Sequence, residues 1–203
     1  KLMIKEDPAA TVSNILSHEW LFKINILDGL FAFTFFLLTV FVLYYLFKEV
    51  NKQLAFLMLV LVIVQVPGNF QEAANQMTAL QLLHGENFMS GMDQPQRERL
   101  AMMLVDLNGT GYLPYSLFWG LWLFPLGILV FRSGFIPKFI GVWLLINGVA
   151  YVIISITGIL SRENLAMVNK IAMPALFGEM AFMLWLLIAG ARHRPYRSPK
   201  TSD

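Results

Sequence analysis

The sequence predicts an all-α, polytopic transmembrane helical bundle, and three observations predict it. Hydrophobic residues make up 57% of the chain and charged residues only 14%, where soluble domains carry about a quarter charged residues. Mean hydropathy is +0.62. The apolar residues also gather into five long stretches, each able to cross a hydrocarbon core of about 30 Å, with short polar segments between them. There are no cysteines, so no disulfide framework, thiolate metal site or cysteine nucleophile exists.

Taken in order, residues 1–20 read as a surface amphipathic segment. Asp7 is placed to cap a helix whose first residue is Pro8, since proline tolerates the first turn and a carboxylate accepts from its free N–H groups. The first span covers about 21–47, with Lys23 and Asp28 near its start. Residues 48–52 form a hydrophilic turn. The second span, about 54–83, is apolar first and polar later, and Pro67-Gly68 predicts a kink where the character changes. At about 100° per residue, Gln65, Asn69, Glu72 and Gln76 fall on one narrow helical face. A loop with Gly85, Gly91 and Pro95 follows.

The third span, about 97–132, is interrupted at Asn108-Gly109-Thr110-Gly111, just before Pro114, and reads as one bent helix. Asp106 to Gly111 looks like the opening of a calcium loop, but Leu117 stands where the closing acid belongs, which excludes an EF-hand. The fourth span, about 139–160, carries Gly141, Gly148 and Ser155 at seven-residue spacing. Small residues on one face let membrane helices approach closely. The fifth span, about 171–190, contains Pro174, Gly178 and Glu179. Residues 191–203 form a basic tail. The whole chain, 1–203, reads as one transmembrane domain.

Basic residues favour the cytoplasmic side of short loops. Alternate connections hold 8 and 7 of the 15 Lys and Arg residues. The larger group lies in the tight turns around Lys48 and Arg132 and directly after the last span, where the bias acts most strongly. That places the C-terminus in the cytoplasm. Asp28, Glu72, Gln76, Asp106 and Asn108 then fall in the outer half of the membrane, with Glu179 near the middle. This asymmetry predicts a polar pocket opening outward.

An ionisable group at membrane depth costs about 2.5–3.5 kcal/mol on insertion scales, so it tends to face a bundle interior or a cavity. The pocket candidates are Gln65, Asn69, Glu72, Gln76, Asp106, Asn108, Glu179 and Asp28. Their functional reading is a ligand, ion or proton site; their structural reading is interhelical hydrogen bonding, and the sequence leaves both open. His18 and His84, with Glu19, Glu86 and Asp93, offer imidazole and carboxylate for a metal. No helical His pair at ligand spacing supports it, so no metal site is favoured and solvated interfacial side chains explain them as well. The basic cluster from Arg192 to Lys200 reads as a topology anchor on anionic lipid.

Several runs carry a family resemblance: Asp7-Pro8-Ala9-Ala10-Thr11, Asn14-Ile15-Leu16 with His18-Glu19, Asp106-Leu107 with Gly109 and Gly111, Phe131-Arg132-Ser133-Gly134-Phe135-Ile136-Pro137, and Pro174 with Gly178-Glu179. Over almost its whole length the chain resembles a bacterial membrane family known only as domain of unknown function 4386. The resemblance implies a further N-terminal span ahead of Lys1 and a bacterial inner-membrane setting, and brings no activity or catalytic residues.

The expected role is a small-ligand, lipid or ion binder with an outward-facing polar pocket. The alternative is a non-catalytic accessory or structural subunit of a larger membrane complex. An enzyme is disfavoured, because no catalytic spacing is present. No cofactor is implied. The partners expected are the lipid bilayer and, under the alternative, other membrane subunits; a net charge of +2 does not point to nucleic acid.

Overall fold

The computed structural model describes residues 7–85, 91–110 and 112–189. Among them the order is α1 (Pro8–Ser17), α2 (Glu19–Phe47), α3 (Lys52–Ile63), α4 (Val66–His84), α5 (Gln94–Thr110), α6 (Tyr112–Leu121), α7 (Leu123–Ser133), α8 (Lys138–Leu160), a 3-10 turn (Arg162–Asn164) and α9 (Leu165–Ala189). No strand occurs among the described residues. Five helical segments are long and apolar enough to cross a membrane: Glu19–Phe47, Lys52–His84, Tyr115–Ser133, Lys138–Leu160 and Arg162–Ala189.

Two helix breaks follow one rule. Proline has no N–H, so the carbonyl four residues before it loses its helical donor. α3 ends at Ile63, four residues before Pro67, and α6 ends at Leu121, four before Pro125. The interruption expected at Pro67-Gly68 therefore falls upstream, at Val64 and Gln65, and Pro67 itself sits harmlessly in the first turn of α4. Pro125 adds a break at Trp122 that the sequence reading did not anticipate. Only α9 runs on through its proline, Pro174.

The chain forms two compact units. Unit one is Lys1–Phe36 with Val66–Tyr112. α1 starts as expected: the Asp7 carboxylate accepts from the Ala10 N–H at 2.9 Å, and the Thr11 hydroxyl donates back to the Asp7 carbonyl at 3.0 Å. α5 opens on a reciprocal cap, in which Asp93 Oδ1 accepts from the Gln96 N–H at 2.8 Å and Gln96 Oε1 from the Asp93 N–H at 3.2 Å. The core joins Ile15 of α1, Phe22 and Ile26 of α2, Ala79, Leu80 and Leu82 of α4, and Ala101 and Val105 of α5.

Unit two is Leu37–Gln65 with Leu113–Asp203, and is held by close backbone approach. A Cβ on Gly148 would lie 2.9 Å from the Gly120 carbonyl oxygen, and one on Gly141 would lie 2.8 Å from that of Gly127. The Ser155 hydroxyl donates to the Leu113 carbonyl at 2.7 Å. The seven-residue row of Gly141, Gly148 and Ser155 is thus the face α8 turns to α6 and α7. On its other side α8 meets α9: the Trp143 indole donates to the Pro174 carbonyl at 3.1 Å, and Gly178 admits the Trp143 backbone.

The Phe131–Pro137 segment is a compact turn within unit two. Gly134 adopts φ +72° and ends α7, a conformation only glycine takes without strain. The Ser133 hydroxyl donates to the Val130 carbonyl at 2.8 Å. Phe135 stacks on Phe47 with ring centroids 5.9 Å apart, and Ile136 is buried. Large apolar side chains on α9 stay bare, Leu187 being 81% and Ile188 84% exposed, as suits a helix against lipid.

Candidate functional site in the first unit

α2 and α4 run antiparallel within unit one, as three levels of contact show. At one end His84 Nε2 meets Glu19 Oε2 at 3.1 Å, and Glu19 also pairs with Lys23 at 2.6 Å. Next, Phe22 and Ile26 pack with Ala79, Leu80 and Leu82. Beyond them the two helices part around a cleft of about 210 Å³. At 1.5 Å per residue, Asp28 lies about 14 Å along α2 from Glu19, and Glu72 about 18 Å along α4 from His84.

The cleft is lined by Asn25, Ile26, Asp28, Gly29 and Leu30 from α2 and by Asn69, Glu72, Ala73 and Gln76 from α4. Asn69, Glu72 and Gln76 are spaced at three and four residues, so one helical face delivers all three. Asp28 and Glu72 are exposed, whereas Gln76 is only 7% exposed. Its Oε1 is buried with no hydrogen-bond partner among the described residues. A buried amide oxygen without a donor costs about 1–3 kcal/mol. No Lys, Arg or His is among the described residues that line the cleft.

The other candidates lie elsewhere. Asp106 is exposed on α5 of the same unit and is not among the lining residues. Asn108 is also on α5, its side chain outside the described residues. Gln65 belongs to unit two; it falls in the break before α4, is buried, and donates through Nε2 to the Leu61 carbonyl at 2.9 Å. Its shared face with Asn69, Glu72 and Gln76 presumed an unbroken helix. Glu179 also belongs to unit two, where Asn147 Nδ2 donates to its Oε1 at 3.4 Å.

His18 Nδ1 lies 3.2 Å from the Asn14 carbonyl oxygen, while His84 is engaged with Glu19; Glu86 lies outside the described residues. No three His, Asp or Glu side chains among the described residues gather as a metal site would require.

Two residues escaped the sequence reading. Asn25 stands three positions before Asp28 and joins it in the cleft; a second polar side chain one turn away was the available signal. Asn147, fully buried within the apolar α8, is the partner of Glu179. A second, wider groove of about 330 Å³ separates α1 from α5. It is lined by Ala9, Val12, Pro95, Glu98, Arg99 and Met102, and none of its polar side chains is buried, so it offers no comparable demand for a ligand.

Residues 1–190 match the family model described as Domain of unknown function (DUF4386). The chain is similar to an uncharacterized protein of Archaeoglobus fulgidus, at 32% identity over 150 residues, 74% of each chain. No solved structure matches it.

Proposed function

The chain belongs to the family described as Domain of unknown function (DUF4386), and from that premise we propose that it is a multi-pass membrane protein that binds a small ligand in the α2–α4 cleft. The setting we propose is the bacterial inner membrane, as one transmembrane domain with the basic C-terminal tail in the cytoplasm. The Glu19–Lys23–His84 cluster then marks the outer surface, because Lys and His favour the headgroup level. The cleft, about 14–18 Å further along the helices, would open outward within the hydrocarbon depth.

One observation carries the reading: within the first unit a cleft of about 210 Å³ is lined by Asp28 and Glu72 together with Asn25, Asn69 and the nearly buried Gln76. Ionisable groups at membrane depth that line a cavity are a functional-site hypothesis by default.

The test is to fill the cleft without touching its polar groups. A Cβ at Gly29 would meet nothing within 4 Å, so Gly29→Leu projects into the space. Wild type and variant are purified gently from native membranes, and their small-molecule contents are released and compared by mass spectrometry. A species retained by wild type and missing from Gly29→Leu is expected. Identical contents would reject the binding role and favour an accessory subunit, whose signature is stable co-purification of other chains.

A further inference from the structure

We propose that two neighbouring turns of unit two, α2–α3 and α7–α8, form a binding patch for the headgroup of an anionic phospholipid. The patch is separate from the α2–α4 cleft and rests only on the membrane setting of the chain.

Phe47, the last residue of α2, stacks on Phe135 with ring centroids 5.9 Å apart, and α3 packs against α7, so the two turns lie side by side. They bring Lys48, Lys52, Arg132 and Lys138 together with a single carboxylate, Glu49. Among the described residues none of these five side chains joins an ion pair.

Helix polarity does not account for this charge. Arg132 lies in the last turn of α7, where the helix dipole favours a cation. Lys52 and Lys138 instead open α3 and α8, at the positive ends of their dipoles. Neither helix has an acid in its first turn, and α8 has no side-chain cap. Cations gathered at positive helix ends repel one another, and an anion seated between the turns removes that repulsion.

The surroundings select the anion. Lys48 Nζ lies 4.8 Å from the centroid of the Tyr45 ring, and Lys138 Nζ 5.4 Å from that of Phe131. Cation–π contact of this kind holds an ammonium group in place. Both rings are exposed and sit in the last turns of their helices, the level at which aromatic side chains meet the membrane interface. A ligand here meets cations on its watery side and bare rings on its membrane side. A free phosphate, a nucleic acid or an acidic peptide matches the cations alone. An anionic phospholipid matches both, with its phosphate on the lysines and its acyl chains against the rings, and basic residues beside membrane spans attract such lipids.

The experiment uses the full chain, stripped of lipid in detergent and incubated with equimolar phosphatidylglycerol and phosphatidylcholine of identical acyl chains. Bound lipid is counted by native mass spectrometry. Wild type should retain phosphatidylglycerol at least about fivefold over phosphatidylcholine. In Lys48→Gln/Lys138→Gln that binding should fall about tenfold, since each basic residue adds severalfold to the affinity. The control is Arg162→Gln/Lys170→Gln, which removes the same charge beyond the other end of α8, about 34 Å away, and should bind as wild type does. Should the first double variant not fold, its two single substitutions carry the test, each with a loss of about threefold or more. Equal retention of the two lipids by wild type would overturn the proposal. Equal losses in both double variants would reduce it to net charge and overturn the patch. Displacement of phosphatidylglycerol by millimolar inorganic phosphate would overturn the lipid and assign the turns to a soluble anion.

Discussion

Gly127 and Gly141 face each other across the α7–α8 contact so closely that a Cβ on either would lie within 3 Å of the other's carbonyl oxygen, at 2.9 and 2.8 Å respectively. Seven residues before Gly127 and seven after Gly141, Gly120 of α6 and Gly148 of α8 repeat the arrangement. Lipid tails are as apolar as side chains, so membrane helices gain little hydrophobic free energy by meeting. Their association rests on close packing and interhelical hydrogen bonds.

Gly148→Leu should therefore destabilise the protein by about 1–3 kcal/mol, the usual cost of overpacking. Backbone atoms, which cannot yield, occupy the space. Gly29→Ala is the control: its Cβ meets open space, and replacing a mid-helix glycine should stabilise by up to about 1 kcal/mol. Unfolding in sodium dodecyl sulfate titrations would report both. Equal effects of the two substitutions would refute the glycine contact.

The α8 face was legible in the sequence because its row of small residues has a seven-residue period, and a period on one helix is local information. The α4 face was legible for the same reason, except at Gln65, where the Pro67 break intervenes. The break before Pro67 was misplaced by attending to proline's own position rather than to the carbonyl four residues earlier. What could not be read was which faces meet. Asn25 and Asn147 are isolated polar residues in apolar helices. Their relevance depends on partners 32 or more positions away, Glu179 for Asn147 and the α4 face for Asn25.

The same rule predicts the effect of restoring a donor. Pro125→Ala returns an N–H to the Leu121 carbonyl, which should let α6 and α7 run as one helix through Trp122. The expected outcome is added helical ellipticity and slowed amide exchange at residues 121–126. Unchanged exchange there would show that tertiary packing, and not the missing N–H, sets the break.

Gly134 closes α7 at φ +72° with open space where its Cβ would be, so a substitution there meets backbone strain alone. Gly134→Ala should cost about 1–2 kcal/mol. Gly134→Asn should cost less, since asparagine visits the left-handed region more readily. Thermal unfolding of the two variants side by side would check the order, and a larger loss for Asn than for Ala would contradict it.

Glu19 bridges Lys23 and His84 on partly solvated side chains. Exposed pairs of this kind contribute little and are screened by salt. Glu19→Gln should thus leave the unfolding midpoint near that of wild type, and raising the salt concentration should do the same. Added zinc should not raise the midpoint either. Glu19 and His84 provide two ligands where a structural zinc takes four, and His18 is turned to the Asn14 carbonyl. A zinc-dependent rise abolished by His84→Ala would reinstate a metal site.

Asn147 and Glu179 provide the sharpest separation of structural from functional polarity in unit two. Asn147 is fully buried, donates to Glu179 Oε1 at 3.4 Å, and keeps its own Oδ1 without a partner among the described residues. Removing one member leaves a polar group buried with fewer partners, so Asn147→Leu alone should destabilise by about 1–3 kcal/mol. Replacing both, as Asn147→Leu with Glu179→Leu, removes the desolvation cost together with the bond, and such exchanges are often neutral or stabilising by 1–4 kcal/mol. The double variant should accordingly unfold at or above the wild-type midpoint. A double variant weaker than either single would mean that the pair holds α8 to α9. The expected result would mean that a carboxylate at this depth is kept at a net cost to stability, and that its reason lies outside the packing of the two helices.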